Sequence, residues 1–191
     1  MRVERATAAA AVIVATAILA GCAGPATVGP VYRRAGTWSE MVYATAHGPM
    51  LVEVHGNPFP KTSPADLAKA VAVSMTGNVF SRPTAFTADA KAAPHPHLRV
   101  VMAFNPPKGT DDNDLCRGRI GRSDTVASGT IRVEAAFCDH DLPLSALFGW
   151  TEAAGPDDPR FGRLVADVTL RLFGTGVRNQ NSQSSSGALQ M

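Results

Sequence analysis

The sequence predicts an α+β domain: a two-layer sandwich of one antiparallel sheet of about four strands with two helices on one face, in the order ββαββα. Three observations predict it. Segments opened by Ser63-Pro64 and by Asp158-Pro159 combine helix-start signals with apolar residues at helical spacing. Thr130–Cys138 alternates apolar and polar residues with the period of a strand. Strand candidates also fall in pairs ahead of each helix.

The elements follow in chain order. Glu40–Thr45 and Met50–His55 flank a short turn at His47-Gly48-Pro49 and read as a hairpin. Ser63-Pro64-Ala65-Asp66 then supplies an N-cap, a proline at the first helical position and an acid at the third. Leu67, Ala70, Val71, Ser74 and Met75 share one face of that helix, and Gly77 ends it. Leu98–Phe104 (LRVVMAF) is a third strand. In the fourth, Thr130–Cys138, the residues Ile131, Val133, Ala135 and Phe137 face a core while Arg132 and Glu134 begin a wet face. Phe161, Leu164, Val165, Val168 and Leu172 line the second helix, Arg160, Arg163, Asp167 and Arg171 cover its other side, and Gly174 stops it. Val52-Glu53-Val54 and Val133-Glu134-Ala135 take similar places in the two halves, which suggests a doubled strand-strand-helix unit.

The folded domain is expected over 38–173. The Gly/Pro-rich segment 22–37 reads as a tether, with Arg33 and Arg34 solvated in it, and 174–191 is polar and Ser/Gln-rich, too poor in apolar area to offset the entropy of ordering. Between Asn105 and Gly129 lies a long stretch without periodicity. Such loops are usually functional, or hide an element.

Two cysteines of the domain, Cys116 and Cys138, form an even pair that reads as a disulfide in an oxidising compartment, worth about 3 kcal/mol through loop-closure entropy. The rival is a metal pair with His140, which lacks the usual ligand spacings. If Leu98–Phe104 and Thr130–Cys138 make a plain hairpin, Cys138 lies at the end away from the loop. The loop must then run back along the sheet, or an extra strand lies near Leu115–Ile120.

The N-terminus reads as a targeting segment: Arg2 and Arg5 outnumber Glu4, and an uncharged stretch follows from Ala6 to Ala20. That stretch is too short for a comfortable membrane span, which takes roughly twenty residues. Leu19-Ala20-Gly21-Cys22 resembles the lipobox of bacterial prolipoproteins, over residues 1–22 only. The resemblance implies a signal peptide over 1–21, cleavage between Gly21 and Cys22, and a lipidated Cys22 whose fatty acyl (palmitate-type) chains anchor the protein in a lipid bilayer. Two or more acyl chains hold stably where one does not. Ala23, in place of Asp, implies the outer membrane, facing the periplasm.

The whole chain carries a formal charge of +2, and removing the signal segment leaves +1 on about 170 residues. Near-neutrality argues against a nucleic-acid partner, which would demand a basic stripe. At 6% aromatic residues, a sugar-stacking platform has little support.

Candidate chemistry is sparse. Asp111-Asp112-Asn113-Asp114 lacks calcium-loop spacing and reads as a solvated acidic turn. Pro94-His95-Pro96-His97 places two imidazoles before a strand without an evident third ligand. Cys138-Asp139-His140-Asp141 pairs an acid with an imidazole, but Ser145 sits in no nucleophile elbow, and a turn explains the cluster equally well. No catalytic residue, metal ligand or cofactor is assigned. The leading expectation is a non-catalytic envelope lipoprotein acting through an envelope protein partner. A ligand binder with the 105–129 loop as lid comes second, and a hydrolase built on His140 third.

Overall fold

A computed structural model describes residues 26–123 and 129–174. Its elements are β1 (Ala26–Arg33), α1 (Thr37–Ala44), β2 (Met50–His55), α2 (Pro64–Met75), β3 (Phe86–Thr87), β4 (Leu98–Phe104), α3 (Asp112–Cys116), β5 (Thr130–Asp139), β6 (Leu142–Glu152) and α4 (Pro159–Phe173). The class is α+β. Residues 1–21, expected to be a signal segment, Cys22 and the residues beyond Gly174 lie outside the described residues.

The two capped helices form as their signals dictate. Ser63 Oγ accepts from the Asp66 N–H at 3.1 Å, and Asp158 Oδ1 from the Arg160 N–H at 2.9 Å, each supplying one orphan donor of a helix start. The Arg160 guanidinium also binds the Asp158 carboxylate and holds its pKa well below the usual range.

The sheet departs from the expectation. It has six strands in the order β1-β6-β5-β4-β2-β3, and it is mixed: β2 runs parallel to both β3 and β4, while β4, β5, β6 and β1 are antiparallel in succession. The ββαββα repeat does not appear, because α2 carries the chain across between parallel strands rather than closing a hairpin unit.

Three local expectations are corrected. Glu40–Thr45 lies largely in α1: Thr37, Met41 and Ala44 are its buried residues, a helical spacing. Short apolar runs leave that choice to tertiary contacts. The stretch 22–37 contains β1, an edge strand on β6, and its arginines are engaged. Arg34 Nε donates to Pro143 O at 3.0 Å, while the Arg33 guanidinium caps the C-terminus of α4 on the carbonyls of Arg171 and Leu172. Gly174 takes φ 72° there, a backbone conformation that L side chains rarely adopt. Finally, β6 was not expected at all. It accommodates Pro143 because the register with β5 slips between Phe137 and Cys138, leaving Leu144 as an extra residue. The Leu144 carbonyl is then free to accept from Arg34 N and Thr37 Oγ1, which pins the start of α1.

One sheet face carries the main core. Val52, Val100, Met102, Phe104, Val133 and Phe137 pack against Val71 and Met75 of α2 and against the stripe of α4. Phe161 is fully buried, its ring 5.1 Å from Phe59 and 5.4 Å from Phe104.

Candidate functional site

The opposite face of the sheet is covered differently. Register places Ala103, Glu134 and Phe148 in line across β4, β5 and β6, with Arg132 beside Trp150 and Ala136 beside Ala146. The centre of this face is built from small side chains, Val101, Ala103, Ala136 and Ala146, and α3 lies on it through Leu115 and Cys116. Small residues let a short helix approach closely and form a second, minor core.

The long loop delivers that helix. In the β4–β5 pair, Arg99 opposes Cys138 at the end remote from the loop, so of the two expected routes the chain runs back along the sheet, with α3 rather than a strand. Cys116 and Cys138 are joined by a disulfide, with Cα atoms 5.5 Å apart, which ends the metal-pair alternative. Arg99 adds a second clamp. It donates to Cys116 O at 2.8 Å and His140 O at 2.9 Å while pairing with Glu53 at 2.9 Å. The acidic run is not a free turn. Asp111 caps α3 by accepting from the Asp114 N–H at 2.8 Å, and Asp114 pairs with Arg119 at 2.8 Å.

Beside α3 opens a cleft of about 260 Å³, walled by Asp111, Asp112, Leu115, Glu134, Ala146 and Phe148. Glu134 is half-buried. Burial raises its pKa, with nearby Arg132 opposing the shift and Asp111 adding to it. Phe148 stacks on Trp150 with ring centroids 6.3 Å apart, and Trp150 is 41% exposed. The site therefore joins an acidic rim to an aromatic strip. Sequence reasoning missed Glu134, Phe148, Trp150 and Arg99 as site residues. The pattern Phe148-Gly149-Trp150 carried the signal, two aromatics at strand spacing in an aromatic-poor chain.

At the far end of β5, two histidine clusters that the sequence kept apart come together. His97 precedes β4, His140 occupies the β5–β6 turn at φ 50°, and the His140 N–H donates to His97 O at 3.0 Å. Their rings lie 4.6 Å apart, His140 Nδ1 is 2.8 Å from Asp139 Oδ1, and His95 rests on Tyr43 with centroids 4.3 Å apart. The His140 side chain is 75% exposed. Among the described residues no hydroxyl or thiol is hydrogen-bonded to its ring. Ser145 is buried and donates to Leu172 O at 2.8 Å.

On the helix side, Phe80 and Leu170 edge an open groove of about 680 Å³ that Arg163, Asp167 and Arg171 share. Among the described residues no helix is long and apolar enough to cross a membrane. Comparison of the chain with protein-family models, with curated proteins and with solved structures gives no match.

Proposed function

We propose that this protein is a bacterial envelope lipoprotein, cut between Gly21 and Cys22 and acylated on Cys22. In this reading it sits at the outer membrane facing the periplasm, and its domain works without catalysis by docking a protein partner on the face that α3 only partly covers. The lipobox and the domain disulfide support an exported, anchored chain. The observation that carries the docking reading is the stacked Phe148–Trp150 strip beside the carboxylates of Asp111, Asp112 and Glu134.

Such a surface suits a partner segment that presents an apolar side chain next to Lys or Arg. The apolar group covers the strip, and the cation gains charge-assisted hydrogen bonds and the face of an aromatic ring. The small-ligand alternative, with the 105–129 loop as lid, is less favoured, because the cleft beside α3 falls below the roughly 300–1,000 Å³ of typical ligand pockets. A hydrolase built on His140 finds no support in a ring that stands in solvent, with no hydroxyl or thiol among the described residues hydrogen-bonded to it.

The anchor also fixes an orientation. Ala26 pairs with Trp150, and Cys22 lies four residues earlier, so at about 3.5 Å per residue the lipid is held within roughly 14 Å of that end of the sheet.

Cys22→Ser is expected to abolish the acylated mass and release the chain from the membrane fraction. A photo-crosslinking residue at position 148 is expected to give a discrete protein adduct that Glu134→Lys removes. A soluble wild type would overturn the anchor, and adducts to lipid alone would overturn the docking.

A further inference from the structure

We propose that His97, Asp139 and His140 form a binding site for a divalent transition-metal ion of the Zn²⁺, Cu²⁺ or Ni²⁺ class. One donor atom from each of these side chains lies within 4.8 Å of the other two. Antiparallel pairing of Leu98 with Asp139 sets the two histidines side by side, and the bond from His140 N to His97 O locks that pairing. The Arg99 clamp, which also donates to His140 O, and the nearby disulfide hold the backbone of the site in place before any ion arrives.

The chemistry of the donor set points to this class of ion. His140 Nδ1 lies 2.8 Å from Asp139 Oδ1, so an ion can take the place of a proton between that ring nitrogen and the carboxylate oxygen. Each of the three side chains offers one ligand atom, a ring nitrogen from each histidine and one carboxylate oxygen from Asp139. Two imidazoles with one carboxylate suit Zn²⁺, Cu²⁺ and Ni²⁺, whereas Ca²⁺ and Mg²⁺ require oxygen donors.

Donors on a tetrahedral ion at about 2.1 Å stand roughly 3.4 Å from one another. From positions within 4.8 Å of one another, the donors reach that spacing by side-chain shifts of about an ångström. Their exposure permits it, since His140 points into solvent and Asp139 is partly open. Around the site, the Arg99 guanidinium is offset by Glu53 at 2.9 Å. His95 stays on Tyr43, with its ring 6.0 Å from His97, so water completes the coordination sphere. The site lies at the end of the sheet remote from Trp150 and owes nothing to the docking reading.

Calorimetric titration of the full-length chain with ZnCl₂ and with CuCl₂ tests it. One equivalent of each is expected, with Cu²⁺ bound more tightly than Zn²⁺. His140→Ala and Asp139→Asn should each weaken binding by about tenfold or more. Asp139 ends β5 half-buried and His140 stands exposed in the turn that follows, and an unchanged circular dichroism melt shows that each variant is folded. As an independent readout, substoichiometric Ni²⁺ should broaden the imidazole proton resonances of His97 and His140 while sparing His55 at the other end of β2. Absence of a stoichiometric binding event, or binding that survives the His97→Ala/His140→Ala double substitution, would overturn the site.

Discussion

The two faces of this sheet are held by different physics. Large side chains line the helix-covered face, where Met102, Phe104, Val133 and Phe137 meet two long amphipathic helices, and dispersion with apolar burial does the holding. The other face is made of Val101, Ala103, Ala136 and Ala146, and its cover is a five-residue helix. So short a helix has little stability of its own. A disulfide and the hydrogen bonds of one arginine keep it in place. A face stabilised by a crosslink rather than by bulk leaves surface uncovered, and there the acidic rim and the aromatic strip remain open.

The sharpest way to break the comparison is to empty the thick face. Phe161→Ala removes a ring that touches both the sheet and Phe59, and it should cost about 3–5 kcal/mol in denaturant unfolding, with the whole domain melting together. A loss below 1 kcal/mol would mean that this face is not the main source of stability.

Removing the crosslink should act on the thin face. Cys116 and Cys138 are separated by 22 positions, so Cys116→Ala/Cys138→Ala should cost about 3 kcal/mol in the chain-entropy model. The pattern matters more than the size. Hydrogen exchange of α3 amides should accelerate towards the rate of an open loop while β4 and α4 stay protected under native conditions. Uniform loss of protection would show that the two faces form one cooperative unit.

The same contrast explains what the sequence could and could not reveal. α2 and α4 were legible because capping and periodicity act locally, within one helix turn. The disulfide was legible from counting cysteines. β6 was hidden because Pro143 and Gly149 mimic loop residues, and only a bulge in the pairing with β5 reconciles them with a strand. β1 was hidden for a similar reason: Gly29 and Pro30 fall where its register on β6 shifts, and an edge tolerates them. With β6 unseen, Phe148 and Trp150 had no shared face to occupy. The histidines were named as two separate groups, since nothing in their spacing announces that Leu98 pairs with Asp139. Helix signals are local, whereas a site built across strands depends on register.

The smallest expected effect sharpens the comparison most finely, because it probes the margin of the thin face alone. Glu134 is half-buried, and desolvation raises its pKa above the ordinary value of 4.5 despite the Arg132 guanidinium close by. An acid whose pKa is raised by folding favours the folded state below its unfolded pKa. That contribution is lost as the pH rises through the folded value, because the charged form is the one burial penalises. Glu134→Gln removes the penalty while keeping the shape. The variant should therefore match wild type in thermal melts at about pH 4 and exceed it slightly at pH 7, by some tenths of a kcal/mol, as for other partly exposed charges. If the ordering at pH 7 is reversed, with the glutamine variant less stable, attraction to Arg132 outweighs desolvation, and the cleft is better solvated than its walls imply.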